Sequence, residues 1–256
     1  MALKSAQAFF IGWAKKPPKG LRPFLWAISA VLIGAAAGVS FGLGVSVPDP
    51  GSGSFQWGAG YQVLEGVVES KPYPVLRVKP EAAGDTAKTI LLSGVGKRGV
   101  QTRADPLDGQ NVKVGGVMLE RGSISMLQVG GKVQITPLDK PADSYTPQAA
   151  EDLGKWRLTG EICDGKCYSG AMRPGIGLAH KACANLCIIG GIPPVFVTTG
   201  AVQGTNFFLL ADPAGNPVPE AIYDVVGRLV TLEGNVERRD DLLVFKADFA
   251  TVKYNW

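Results

Sequence analysis

The chain has 256 residues, 46% of them apolar and 19% charged, a balance too apolar and too varied for a disordered, collagen-like or coiled-coil protein. Its 34 Gly and 18 Pro suit a turn-rich β protein better than a helical bundle. The formal charge of +4 is local: Lys4, Lys15, Lys16, Lys19 and Arg22 precede the first acidic residue, Asp49, and subtracting those five from 26 leaves 21 basic against 22 acidic residues. The body therefore has no basic face for a phosphate backbone, and nucleic acid is not expected as a partner.

After a basic leader over 1–23, residues 24–47 read FLWAISAVLIGAAAGVSFGLGVSV, without a charge. As a helix this stretch is roughly 36 Å long at 1.5 Å per residue, enough to cross a bilayer. The Lys/Arg cluster before it predicts a cytoplasmic N-terminus in a bacterial inner membrane, with the body in the periplasm. A cleaved signal peptide competes, since Ala35-Ala36-Ala37 supplies small residues; the long leader and the apolar run beyond favour a retained anchor.

Residues 48–55, rich in Pro, Gly and Ser, read as a spacer, and 141–155 as a second linker. They bound two β domains, 56–140 and 156–256. Strands are expected near 61–69, 89–93, 111–119 and 123–129, then 157–162, 195–199, 206–211, 228–237 and 242–251. The two halves look like copies of one unit. Gly109-x-x-Val112-x-Val114-x-Gly116 meets Gly227-x-x-Val230-x-Leu232-x-Gly234 at an offset of 118, as Ile90-Leu91-Leu92 meets Phe208-Leu209-Leu210, whereas Glu65-Gly66 meets Thr159-Gly160 at 94. The second copy thus carries 118 − 94 = 24 extra residues, placed between Cys167 and Phe207. Strand density and glycine pattern resemble small OB-like Greek-key barrels, closure of which removes exposed edges. The fold expected is all-β: a transmembrane helix, then two tandem OB-like barrels, the second with a short Cys/His-bearing helical insertion.

That insertion holds all four cysteines, Cys163, Cys167, Cys183 and Cys187, and the only histidine, His180. The Ala-rich run 178–189 predicts a short helix ended by Gly190-Gly191 and Pro193. On it His180, Cys183 and Cys187 fall at i, i+3 and i+7 on one stripe, able to converge on Cys167. Three readings stand. An even cysteine count in an oxidising compartment predicts disulfides among Cys163, Cys167, Cys183 and Cys187. Cys167, His180, Cys183 and Cys187 would equally suit tetrahedral zinc, or a copper or iron centre, although the spacing is that of no standard zinc finger. A redox-active dithiol at Cys183 or Cys187 is the third, without Cys-x-x-Cys spacing.

The residues Asp164-x-x-Cys167, Met172-x-Pro174-Gly175, His180-x-x-Cys183-Ala184-x-x-Cys187 and Gly190-Gly191-Ile192-Pro193 resemble a little-characterised family of bacterial exported OB-like proteins with an Asp-x-x-Cys, His-x-x-Cys-Ala-x-x-Cys, Gly-Gly-Ile-Pro signature. The resemblance covers 157–251 best. It implies an envelope protein accessory to membrane-associated redox machinery and supplies no catalytic residues; Cys163 lies outside the signature.

Other motifs carry less. Gly94-Val-Gly96-Lys97-Arg98-Gly99 is a Gly-x-Gly-x-x-Gly string, but no amphipathic helix follows it, so it reads as a loop with Lys97 and Arg98 at a solvated tip. Asp240-Asp241 reads as a hairpin turn. No Gly-x-Ser-x-Gly elbow or Cys-x-x-Cys-His haem site exists. The function expected is a non-catalytic, membrane-anchored periplasmic accessory or binding subunit of a membrane redox or assembly complex, docking through the apolar 188–196 segment. The rivals are an electron-transfer or metal-handling protein and a thiol oxidoreductase.

Overall fold

The computed structural model describes residues 17–46, 50–80, 86–138 and 146–255; Lys4, Trp13, Lys15 and Lys16 lie outside them. The chain divides into two compact units, Met1–Asp49 and Pro50–Trp256. The first contains α1 (Arg22–Ser46), a 25-residue helix in which residues 23–45 are exposed all round, from Phe24 and Trp26 to Phe41 and Val45. At about 1.5 Å per residue this helix is long and apolar enough to cross a membrane.

The second unit is almost entirely β. Its strands are β1 (Ser54–Phe55), β2 (Gln62–Glu69), β3 (Val75–Val78), β4 (Lys88–Ser93), β5 (Asn111–Arg121), β6 (Ile124–Val129), β7 (Ile135–Pro137), β8 (Glu151–Asp164), β9 (Pro194–Val202), β10 (Thr205–Ala211), β11 (Leu229–Arg239) and β12 (Leu242–Tyr254). One helical turn, α2 (Gln101–Ala104), stands between β4 and β5, and α3 (Lys181–Ile189) between β8 and β9. Strands β8 to β12 close a barrel in the order β10-β12-β11-β8-β9. The others form a seven-stranded sheet, β1-β5-β2-β3-β4-β6 with β7 on β5, in which β5 also pairs with β6.

The repeat read from the sequence is carried residue by residue in the register. Leu91, Leu92 and Ser93 pair in parallel with Met126, Leu127 and Gln128, and 118 residues later Leu209, Leu210 and Ala211 pair with Val244, Phe245 and Lys246. Gly66 faces Val112 where Gly160 faces Val230. Both glycines sit where the next strand presses in: a Cβ would lie 2.4 Å from the Arg77 carbonyl oxygen at Gly66 and 2.3 Å from that of Val197 at Gly160. Only a residue without Cβ permits that approach.

Two departures from the expected elements have local causes. β3 was not expected: it has four residues, Val-Leu-Arg-Val, with three buried, too short and too evenly apolar to show a period of two. β8 begins at Glu151, inside the stretch read as a linker, because the long β11 gives it partners as far as Arg238.

Burial explains why the strands read as solid apolar runs. In β4, Ile90 and Leu92 join the first half's own core with Val68, Leu76, Val112 and Leu127, while Leu91 faces the other way. In β10, Phe208 and Leu210 join the barrel's core, where Phe208, Phe196 and Phe245 form edge and tilted ring contacts at 5.6–6.3 Å between centroids. Leu91, Val75 and Met126 of one half pack with Leu209, Val195 and Val244 of the other in a third cluster, so equivalent faces of the two halves bury each other. At the rim of this seam Arg77 donates to Asp240 at 2.7 Å and to Glu69 at 3.3 Å, and the Thr89 N–H donates to Asp241 at 2.7 Å. Asp240 lies in the β11–β12 turn at φ 55°, as the hairpin reading expects.

Candidate functional site

The insertion begins and ends on neighbouring strands. Asp164, the last residue of β8, pairs with Pro194, the first of β9, and the Gly165 N–H donates to the Pro193 carbonyl at 2.8 Å, so 165–193 is a closed excursion. The register offset between the halves rises from 94 at Ile162 to 120 at Phe196 and settles at 118 on β10. The extra residues therefore all precede β9.

Within the excursion Cys167–Ala171 forms a single π-type turn, Leu178–His180 a 3-10 turn, and Lys181–Ile189 the helix α3. The expected helix is thus present but begins one turn later, and Gly191, at φ 90°, ends it with the Ile192 N–H donating to the Cys187 carbonyl at 2.9 Å. This brings the soft side chains together. Cys167, His180 and Cys183 offer ligand atoms all within 4.8 Å of one another, and so do Asp164, Cys167 and Cys187. Cys167 belongs to both groups, which makes it the centre of a Cys/His cluster that could hold a metal ion.

Asp164 organises this cluster. It is fully buried; one carboxylate oxygen accepts the Cys167 N–H at 2.8 Å and the other faces His180 Nε2 at 3.0 Å. A carboxylate accepts, so Nε2 is the donor in this pair, and in the neutral imidazole Nδ1 is then the nitrogen left for a metal, the arrangement by which carboxylates orient ligating histidines. Asp164 is not among the ligands expected from the sequence; its place at a strand end beside a Cys-bearing turn is the signal that marks it.

The four cysteines are all thiols, and no pair lies at bonding distance, which corrects the disulfide expectation. Cys163 cannot join the others because it points into the seam between the halves beside Tyr168 and Val195. Burial pushes its thiol pKa well above the usual range. Cys167 and Cys187 pack with Ile192 in a separate apolar patch.

The loop 94–99 is not a free tip. Gly99 donates its N–H to the Gly190 carbonyl at 2.7 Å, and the nearly buried Lys166 donates from Nζ to the carbonyls of Gly94 and Gly96 at 2.7 and 2.8 Å. Lys97 Nζ thereby reaches Cys183 Sγ at 2.7 Å and Cys187 Sγ at 3.5 Å. These contacts cross 70 to 90 positions of sequence, so no pattern along the chain marks Lys97 or Lys166. The hydrogen bond to Cys183 raises the Lys97 pKa, while burial lowers that of Lys166. The Cys187 thiol is brought down to about 7, first by a hydrogen bond from Cys167 and further by Lys97, whereas Cys167, the donor, is pushed up. In metal-free protein the thiolate ultraviolet absorbance is therefore expected to rise through about pH 7. Lys97→Met should move that midpoint upward toward the ordinary thiol range of about 8.5; an unmoved midpoint would remove Lys97 from the cluster.

The latch is sterically tight. A Cβ at Gly190 would lie 1.8 Å from the Lys97 carbonyl oxygen, although the Gly190 φ of −74° suits any residue. Gly190→Ala is thus expected to cost about 1–3 kcal/mol by overpacking alone, measured as a shift in the urea midpoint with unchanged slope.

No family model, curated protein or solved structure matches the chain. The cluster's own geometry is accordingly the basis for function. The segment expected to dock a partner is inside the protein: Ile188, Ile192, Pro193, Pro194, Val195 and Phe196 are all buried, because β9 is a full barrel strand between β8 and β10. Within it only Ile189 and Gly190 are exposed. A cavity of about 600 Å³ is lined by Gln148, Gln203, Arg238 and Asp240 among others and contains no residue of the cluster.

Proposed function

We propose that this is a membrane-anchored protein of the bacterial envelope, its two OB-like barrels in the periplasm, whose second barrel carries a thiophilic metal ion for electron transfer or metal handling in an accessory subunit of a membrane redox or assembly complex. The observation that carries this reading is the convergence of the Cys167 and Cys183 thiols and His180 on one point, with His180 held by a fully buried carboxylate. Cys187, beside Cys167, is the fourth ligand in this reading. Two to three thiolates and one imidazole are soft or borderline donors, the set that zinc, copper or iron takes in preference to magnesium or calcium. Such an ion supplies charge or electron storage, and the protein supplies a fixed, half-enclosed donor set. Membrane anchoring rests on the length and composition of α1, and the outward orientation on the basic residues before it.

Native mass spectrometry of the full chain, purified in detergent from an oxidising envelope, with thiol counting on the same sample, tests it. One retained ion with four thiols is expected, lost in His180→Ala and in Cys183→Ser. A metal-free protein two or four protons light would replace the metal site with bridges.

A second reading, a thiol oxidoreductase, is favoured by one observation, the lowered pKa of Cys187 beside Lys97. It requires turnover of a small disulfide that Cys187→Ser abolishes and that the metal-loaded protein lacks.

A further inference from the structure

The Met172-x-Pro174-Gly175 stretch takes no share in the Cys/His cluster. It forms one wall of a separate cavity of about 180 Å³, whose other walls are Ser52, Gly53, Arg121 and Tyr168, with Arg173 beside Met172. We propose that this cavity binds a phosphate-class oxyanion, clamped between Arg121 and Arg173. At about 30 Å³ per water it has the room of about six waters, enough for a phosphate group and its first substituents and too small for most organic cofactors.

Both arginines line this cavity. Arg121 Cζ lies over the Tyr168 ring, 4.5 Å from the centroid, a cation–π contact that uses none of its N–H donors. Its Nε is buried without a hydrogen-bond partner, and its Nη1 reaches only the Tyr168 carbonyl at 3.5 Å. Arg173 spends one N–H on the Gly53 carbonyl at 3.2 Å. Among the described residues neither arginine has a carboxylate partner, and no acidic residue lines the cavity. A buried guanidinium donor without an acceptor, such as Arg121 Nε, is rare in folded proteins, and oxyanions are the ligands that match the guanidinium fork.

The repeat supplies an internal comparison. Arg121 pairs across its hairpin with Ile124, and 118 residues later Arg239 pairs with Leu242. Arg239 is neutralised within the protein by Glu237 and Glu69. The first-half counterpart of Glu237 is Leu119, so at the same place in the fold one copy holds its own counter-charge and the other leaves it to be supplied.

Two sources offer the same chemistry: a phosphate-bearing solute, or a phospholipid headgroup, since Ser52 follows the end of α1 by six residues. The full chain in detergent is titrated with inorganic phosphate by calorimetry, and separately with phosphatidylglycerol read by native mass spectrometry. One equivalent of either is expected to bind, at least ten-fold more weakly in Arg121→Gln and in Arg173→Gln, with thiol count and retained metal unchanged. Phosphate binding without lipid retention assigns a soluble ligand; lipid retention with phosphate at least ten-fold weaker assigns a headgroup. If Arg121→Gln does not fold, Arg173→Gln, which removes a single hydrogen bond, carries the test. Failure of both probes to bind the wild type, or binding that both variants retain, overturns the proposal without touching the metal reading.

Discussion

Asp164→Asn is expected to leave a folded protein that binds the proposed metal ion about 10–100-fold more weakly. The amide oxygen of Asn can still accept the Cys167 N–H, so the cap on the π-type turn survives. Its NH2, however, would face His180 Nε2, now an N–H donor, and the pair can reform only if the histidine proton moves to Nδ1. That tautomer withdraws the nitrogen a metal needs, the same logic by which the Asp to Asn change disables a serine-protease triad through its histidine. Loss of a carboxylate behind a ligating histidine ordinarily costs 10–100-fold in affinity, about 1.4–2.7 kcal/mol. Competition with a chromophoric chelator measures it. Asp164→Ala goes further, because it orphans both buried donors at about 1–3 kcal/mol each and should lower the stability of the metal-free protein as well. A Asp164→Asn variant that kept its metal within about three-fold, against the 10–100-fold expected, would show that His180 is not a ligand.

Arg77→Met is the substitution expected to weaken the fold most. Arg77 lies on β3 with its side chain 6% exposed and holds Asp240, 3% exposed, across the seam between the halves, as well as Glu69 and the Gln148 carbonyl. Met fills much of the same volume but leaves the Asp240 carboxylate buried beside a thioether. Removing one partner of a buried pair costs about 3–5 kcal/mol, far above the 0–1 kcal/mol of an exposed pair such as Lys113–Glu65. Urea unfolding of the full chain should show the loss, and it should be insensitive to salt because the pair is shielded from solvent. The double variant Arg77→Met/Asp240→Asn should recover part of it, the coupling expected of direct partners. A loss no larger than that of a Lys113→Met control would mean that the seam is held by its apolar cluster alone.

The cluster was half legible along the chain. Cys167, His180, Cys183 and Cys187 stood out because they are rare residues crowded into one segment, and helical spacing placed three of them on one stripe. Disulfides were the natural reading of an even count, yet cysteine pairing depends on Cα separation and side-chain direction, which spacing does not give. Cys163, only four residues from Cys167, points to the opposite side of β8 and into a different core. Lys97 was read as a solvated tip because it is a charged residue in a glycine-rich loop; its role rests on Gly190 and Gly99, whose missing side chains let two loops from different halves touch.

By itself the sequence determined the apolar helix, the β class, most of the long strands and the repeat, since these follow from local pattern: runs of uncharged residues, extended apolar stretches, and glycines at fixed intervals where strands must approach. Tertiary structure alone decided that Leu91 and Leu209 face each other across a seam while their neighbours on either side fill two separate cores. An unbroken apolar run reports burial on both faces of a strand but not what covers each face. The same holds for charge: Arg121 and Arg239 occupy equivalent positions in the repeat, and only the packing shows that one has its carboxylates within the protein and the other faces a cavity.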